Sequence, residues 1–160
     1  MPVVLTQTDT TVGFLSQSSD KLYAIKSRPN IKPFIKVYNN FQNFLESGNR
    51  VPKSKRNLVR RSKKTTFIIK NRAFRIADTT LNSQILRDFI WSYSTSANKS
   101  KEKFSREFCE TKADIIIEDN NGLIQSSSSS LIKINEVKRR KIRWLRQYKH
   151  FYPVCFLHFL

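Results

Sequence analysis

Apolar residues fall along this chain in short runs whose spacing switches between strand and helix periods. Pro2 to Thr6 is short, apolar and β-branched and predicts a strand. Gln7 to Gly13 is polar and reads as a loop. Ser18 or Ser19 can cap a helix to about Lys26, with Leu22 and Ile25 on one face, and Pro29 ends it. Phe34 to Tyr38 alternates as a strand does. Asn39 or Asn40 then caps a short helix bearing Phe41, Phe44 and Leu45, closed near Gly48. Pro52 to Lys63 is a basic helix candidate. Thr65 to Lys70 and Ala73 to Ala77 predict two strands.

Leu81, Ile85, Leu86, Phe89 and Ile90 keep a helical spacing between Thr80 and Trp91. Ser92 to Ser100 reads as a polar loop with room for a short strand at its start, and Phe104 to Thr111 as a helix. Ala113 to Glu118 predicts a strand of the buried type. Asn120-Asn121-Gly122 is a turn, and a run of five serines follows from Ser126 to Ser130. Strands on both sides of that run favour an ordered loop over a linker. Leu131 to Ile134 and Lys141 to Trp144 close the series. Strands alternating with helices predict an α/β fold with a twisted mixed sheet and flanking helices. One domain is expected over residues 1–145, followed by an apolar, aromatic extension over 146–160.

Composition adds a partner class. The 160 residues include 30 Lys and Arg against 12 Asp and Glu, a net charge of +18. Eleven basic residues and no acidic one lie between Arg50 and Arg75, and seven basic residues and no acidic one between Lys138 and Lys149. Apolar residues interrupt both blocks, so each belongs to a folded element with a basic face. Such a surface suits phosphates, of a nucleotide or of RNA. No apolar run reaches the roughly 18 residues of a membrane span, and the start turns polar too soon for a signal peptide. A cytoplasmic protein with no membrane partner is the expectation.

Several chemistries are excluded early. Cys109 and Cys155 are too few for a disulfide scaffold and read as free thiols. His150 and His158 flank Cys155, but no second ligand cluster accompanies them, so no metal site is expected. Three glycines cannot build a P-loop or a dinucleotide fingerprint. Asp114, Glu118 and Asp119 read as exposed strand-end carboxylates.

Three short pieces remain. Thr8-Asp9-Thr10 with Gly13-Phe14 follows the opening strand. Lys26-Ser27-Arg28-Pro29, with Lys32-Pro33 beyond it, joins a helix to a strand. Ser94-Thr95-Ser96-Ala97-Asn98-Lys99-Ser100 comes later. In this order and spacing they resemble the YrdC/TsaC family, the L-threonylcarbamoyladenylate synthases. That family shows a Thr-Asp/Glu-Thr-Val-Tyr-Gly-Leu loop, a Lys-x-Arg-Pro segment and a Ser-Ala-Asn-x-Ser-Gly segment. Its Val-Ala-Val-Arg-Val strand is similar to Ala73-Phe74-Arg75-Ile76, its Ser-Thr-Ile-Val-Asp entry to Ser129 through Lys133, and its terminal Leu-Arg-Pro-Gly to Ile142-Arg143-Trp144. Val12 stands in place of the family's Tyr, and Lys101 in place of its second Gly.

The resemblance implies an enzyme, a nucleotidyltransferase that joins L-threonine, bicarbonate and ATP into threonylcarbamoyl-AMP and pyrophosphate. The product feeds the threonylcarbamoyl modification of the tRNA adenosine next to the anticodon, through a downstream threonylcarbamoyl-transferase complex. Carried over by position, Lys26 and Arg28 are the catalytic pair and hold phosphate or bicarbonate oxygens. Ser96, Asn98 and Arg143 join them in binding ATP. Thr10, Arg75, Ser94 and Ser129 take the threonine side. ATP arrives with Mg²⁺ as a substrate, held mainly by phosphates and water. Lys26→Ala and Arg28→Ala are each expected to abolish turnover without unfolding the protein. Two alternatives stand beside this reading. One is a non-catalytic RNA-binding protein of tRNA or ribosome maturation. The other is a carbamoyl-adenylate-forming domain like that of the hydrogenase-maturation carbamoyltransferase.

Overall fold

Three of the four described α-helices start where a polar side chain answers a free backbone N–H. The computed structural model describes residues 1–27, 33–77, 85–87, 89–100 and 102–143. Ser18 caps α1 (Ser19–Lys26) by accepting from the Lys21 N–H, and Asp20 sits in its first turn, where the helix dipole favours an acid. Asn40 caps α2 (Phe41–Glu46) through the Asn43 N–H at 2.8 Å. A 3-10 turn (Lys53–Lys55) leads into α3 (Arg56–Arg61). Ser105 caps α4 (Arg106–Lys112) through the Phe108 N–H.

Nine strands form one sheet among the described residues. They are β1 (Val4–Gln7), β2 (Val12–Ser16), β3 (Ile35–Tyr38), β4 (Thr65–Ile69), β5 (Arg72–Ile76), β6 (Trp91–Ser96), β7 (Ile115–Ile117), β8 (Ser130–Ile134) and β9 (Arg139–Arg143). Their order is β7-β1-β2-β6-β3-β5-β4-β8-β9. β1–β7, β3–β5 and β4–β8 run parallel and the other pairs antiparallel, so the sheet is mixed. Lys70 and Asn71 join β4 to β5 with φ of 45° and 62°. Two consecutive left-handed residues are what a two-residue hairpin of matching twist requires.

Two apolar clusters lie along the sheet. Leu5, Phe14, Leu22, Ile25 and Cys109 pack where α1 and α4 cover one end. Phe41, Phe44, Val59, Phe67, Phe74 and Ile132 pack where α2 and α3 cover the other. Phe44 stacks on Phe74 with ring centroids 4.3 Å apart. Burying one such side chain contributes roughly 1.5–3 kcal/mol.

The structure differs from the sequence expectations at four places. Val12–Ser16 is a fully buried strand and not the end of a loop. Trp91–Ser96 is a six-residue central strand, although its polar Ser-x-Ser-x-Ser pattern reads as a loop. β7 is an edge strand with Ile115 and Ile116 44% and 45% exposed, not a buried one. The basic segment after Pro52 breaks into a 3-10 turn and a short helix. The expected helix over Thr80 to Trp91 falls largely outside the described residues, as does the extension at 146–160. Within it, the Ile90 N–H donates to the Leu86 carbonyl and Leu86 is buried.

Candidate functional site

The loop between β1 and β2 is folded by its own threonines. Thr8 Oγ1 donates to the Thr11 carbonyl at 2.6 Å and accepts from the Thr10 and Thr11 N–H groups. This turn holds Asp9 and Thr10 inward, 8% and 5% exposed. Gly13 follows because nothing larger fits. A Cβ there would lie 3.0 Å from both Thr8 Cγ2 and the Thr95 carbonyl oxygen.

Arg75 reaches this loop from β5. Its Nη1 donates to Asp9 Oδ1 at 2.6 Å and to Thr10 Oγ1 at 3.0 Å, and its Nη2 donates to Thr66 Oγ1 at 3.0 Å. Thr66 Oγ1 in turn bonds Ser129 Oγ at 2.9 Å. The Arg75–Asp9 ion pair is almost fully enclosed, with side chains 7% and 4% exposed. Asp9 Oδ2 has no hydrogen-bond partner among the described residues. A buried carboxylate oxygen without a donor is costly, so the hub has unused acceptor capacity.

The serine run is placed by the same loop. The Ser126 N–H donates to Thr11 Oγ1, the Ile124 N–H to Gln7 Oε1 and the Val12 N–H to the Ile124 carbonyl. These bonds lay the segment along the loop and deliver Ser129, which is buried, to Thr66. Thus the run is an ordered loop.

Lys26 closes the other side. At the end of α1 the chain turns through Ser27, in the left-handed region at φ 46°. The Lys26 side chain is only 4% exposed. Its ammonium donates to the Ser96 carbonyl at 2.8 Å, to Asn98 Oδ1 at 2.7 Å and to the Asn98 carbonyl. Ser96 Oγ donates to Asn98 Oδ1 at 2.6 Å, and Asn98 Nδ2 to the Glu102 carbonyl. A lysine that turns inward thereby fixes the Ser96–Asn98 segment. Cys109 sits nearby in the core, where burial pushes its thiol up despite the charge of Lys26, so it is no activated nucleophile.

One cleft of about 280 Å³ gathers these parts, lined by Thr10, Arg75, Ser94, Ser96, Ser128 and Ser129 among others. Lys26 and Asn98 are bonded to its rim at Ser96. Seven of the nine residues singled out from the sequence therefore come together. Arg28 lies outside the described residues, and for Arg143 only the backbone, in β9, is described. Sequence reasoning left two members of the hub without a role. Asp9 stands inside the Thr8-Asp9-Thr10 motif, and Thr66 is a polar interruption at the start of an apolar strand. Among the described residues no group of three His, Cys, Asp or Glu side chains could hold a metal ion, and no helix is long and apolar enough to cross a membrane.

The arrangement has close parallels in fold. P. abyssi Sua5 complexed with L-threonine superposes with a TM-score of 0.73 at 18% identity, over 89% of this chain and 50% of that one. E. coli YciO gives 0.70 at 15% identity, over 89% of this chain and 82% of that one. Full-length HypF in the phosphate- and nucleotide-bound form gives 0.68 at 16% identity, over 89% of this chain and 26% of that one. The chain thus spans about half the length of the Sua5 structure. No curated protein matches it. The family model Sua5/YciO/YrdC, described as telomere recombination, matches residues 2–147. With the model covering nearly the whole sequence and the fold shared with Sua5 and YciO, the chain belongs to the Sua5/YciO/YrdC family.

Proposed function

We propose that this protein is a threonylcarbamoyl-AMP synthase. One observation carries the reading: a single cleft collects Thr10, Arg75, Ser94, Ser96 and Ser129, and Lys26 is bonded to its rim. Two buried cations and several hydroxyls, with no activated cysteine among the described residues, suit a reaction that must neutralise and align small anions. The threonine in the P. abyssi Sua5 structure supports the amino-acid side of the reading.

The chemistry balances without a covalent enzyme intermediate. The threonine amine and bicarbonate form a carbamate and release water. A carbamate oxygen then attacks the α-phosphorus of ATP, and pyrophosphate leaves with the electron pair of the broken P–O bond. Arg75 takes the threonine carboxylate, with Asp9 fixing the guanidinium and Thr10, Ser94 and Ser129 beside it. Lys26, Ser96 and Asn98 take the nucleotide phosphates, together with Arg28 and Arg143. Mg²⁺ enters with ATP as part of the substrate. Arg28 and Lys26 stabilise charge at the reacting phosphoryl group. The adenylate then serves a transferase that modifies the tRNA adenosine.

Pyrophosphate release by the purified protein tests this. Release that requires ATP, L-threonine and bicarbonate together is the expected result. Release from ATP alone, or none under any combination, overturns the reading.

A further inference from the structure

Hydrogen bonds around Arg75 run in one direction, because a guanidinium carries five N–H donors and no acceptor. Four of these donors meet protein oxygens. Nη1 donates to Asp9 Oδ1 at 2.6 Å and to Thr10 Oγ1 at 3.0 Å, while Nε and Nη2 both donate to Thr66 Oγ1, at 3.3 and 3.0 Å. Among the described residues a single Nη2 N–H is left over. Arg75 therefore does not offer a ligand the two parallel donors of a bidentate grip. What it does is set the direction of the hydroxyls around it.

Thr66 passes that direction on. It lies in β4 and is fully buried. A hydroxyl has one proton and two lone pairs. Both Arg75 bonds arrive at Thr66 Oγ1 as donors, so the proton of Thr66 goes to its other neighbour, Ser129 Oγ at 2.9 Å. The β4–β8 pairing holds Ser129 in reach, since the Ser130 N–H donates to the Lys64 carbonyl at 3.0 Å and Thr66 lies opposite Leu131. Ser129 accepts from Thr66 and lines the cleft. Thr10 is set the same way. It accepts from Arg75, and the proton of Thr8, its neighbour at 3.4 Å, is committed to the Thr11 carbonyl at 2.6 Å. Thr10 also lines the cleft. Each of these two hydroxyls thus has its proton, and not its lone pairs, directed away from the hub.

We propose that Thr66 is a positioning residue for a carboxylate in the cleft: it relays the donor bias of Arg75 to Ser129, so that Ser129 meets the carboxylate with its proton. Thr66 itself touches no ligand. A carboxylate is acceptor-only, and two hydroxyl protons turned from the hub together with the remaining Arg75 N–H suit it. That the carboxylate belongs to L-threonine rests on the synthase reading, whereas the relay rests on the bonds of the hub. Valine at position 66 keeps the branched shape and breaks the relay, because Ser129 loses the bond that fixes its direction.

The test is a double-mutant cycle, read by calorimetric titration of L-threonine into the full chain with ATP titrated as the reference. Thr66→Val and Ser129→Ala should each weaken L-threonine binding about tenfold, the scale of a lost hydrogen bond to a charged group. ATP binding should change far less. The double variant T66V/S129A should lose no more than the weaker-binding single variant, because the two residues act through one bond. Thr66→Ser should restore the parent affinity. If Thr66→Val does not fold, Thr66→Cys takes its place in the cycle with the same order of effects, since it puts a weak S–H donor where the hydroxyl stood. A double variant weakened about a hundredfold, the product of two independent losses, overturns the relay. So does parent-like L-threonine affinity in Thr66→Val, or an equal loss for ATP. A parent that binds L-threonine and obeys the cycle but releases no pyrophosphate overturns the synthase reading and supports the relay. A parent that binds no L-threonine overturns both.

Discussion

Lys26 and Arg75 are both buried cations at one cleft, 4% and 6% exposed, yet they are held in different ways. Arg75 is held by a full opposite charge, Asp9 at 2.6 Å, and by hydroxyls of Thr10 and Thr66. Lys26 is held at the Ser96–Asn98 segment by carbonyl dipoles. Losing Arg75 strands a buried carboxylate. Losing Lys26 strands neutral acceptors at Ser96 and Asn98. The difference teaches which of the two cations the fold itself depends on more. Arg75 is part of the fold's polar core, whereas Lys26 positions one rim of the cleft.

The sharpest way to break this comparison is Arg75→Met. Breaking a buried pair by removing one partner costs about 3–5 kcal/mol, and Tm should fall by roughly 10 °C or more. The double variant D9L/R75M should recover much of that loss. A single variant as stable as its parent would contradict the assigned role of Asp9. Next comes Lys26→Ala, expected to lower the rate of pyrophosphate release by about 10²–10³. Its stability should fall by only about 1–3 kcal/mol, the scale of unmade hydrogen bonds. Lys26→Arg should not restore the rate, since a planar fork cannot reach the three oxygens that a compact ammonium meets. Equal activity in the parent and in Lys26→Ala would remove Lys26 from the site.

Smaller effects test the frame. In Gly13→Ala the new Cβ would press on the Thr95 backbone oxygen at 3.0 Å. The variant should lose about 1–3 kcal/mol of stability, as overpacking does, with activity reduced because β2 carries the loop toward Arg75. Urea titration checks it. Smallest is Asp114→Asn at the β1–β7 end. There the Val3 N–H, at 2.8 Å, and the Lys21 ammonium hold the Asp114 carboxyl below its ordinary value of 3.8. A depressed carboxyl contributes stability above its unfolded value and loses it as pH falls through the folded one. The variant should therefore melt below its parent at pH 7, with the gap closing at pH 3. A gap that widens in acid would contradict the assignment.

The cleft was legible in the sequence because its parts are short motifs in a fixed order. Lys26, Asn98, Ser129 and Arg75 could all be named from their neighbours in the chain. Asp9 could not be paired with Arg75, because 66 residues separate them and only the sheet order brings them together. β6 was hidden for a related reason. Its serines look like loop residues, yet Ser92 is buried and Ser94 and Ser96 line a cleft, so polarity there belongs to the site. β7 misled in the opposite direction. Three consecutive isoleucines suggest burial on both faces, but a strand with one neighbour leaves two of them open to solvent. The β4–β5 hairpin shows where local chemistry suffices, since Lys70 and Asn71 turn the chain where two predicted strands meet.

The most direct measurement follows the carbon. The purified protein is incubated with ATP, Mg²⁺, L-threonine and ¹³C-bicarbonate, and the adenylate product is examined by mass spectrometry. The account predicts threonylcarbamoyl-AMP one mass unit heavier than the unlabelled product, formed by the parent and lost in Lys26→Ala. An adenylate without the label, or none in the presence of every substrate, would contradict it.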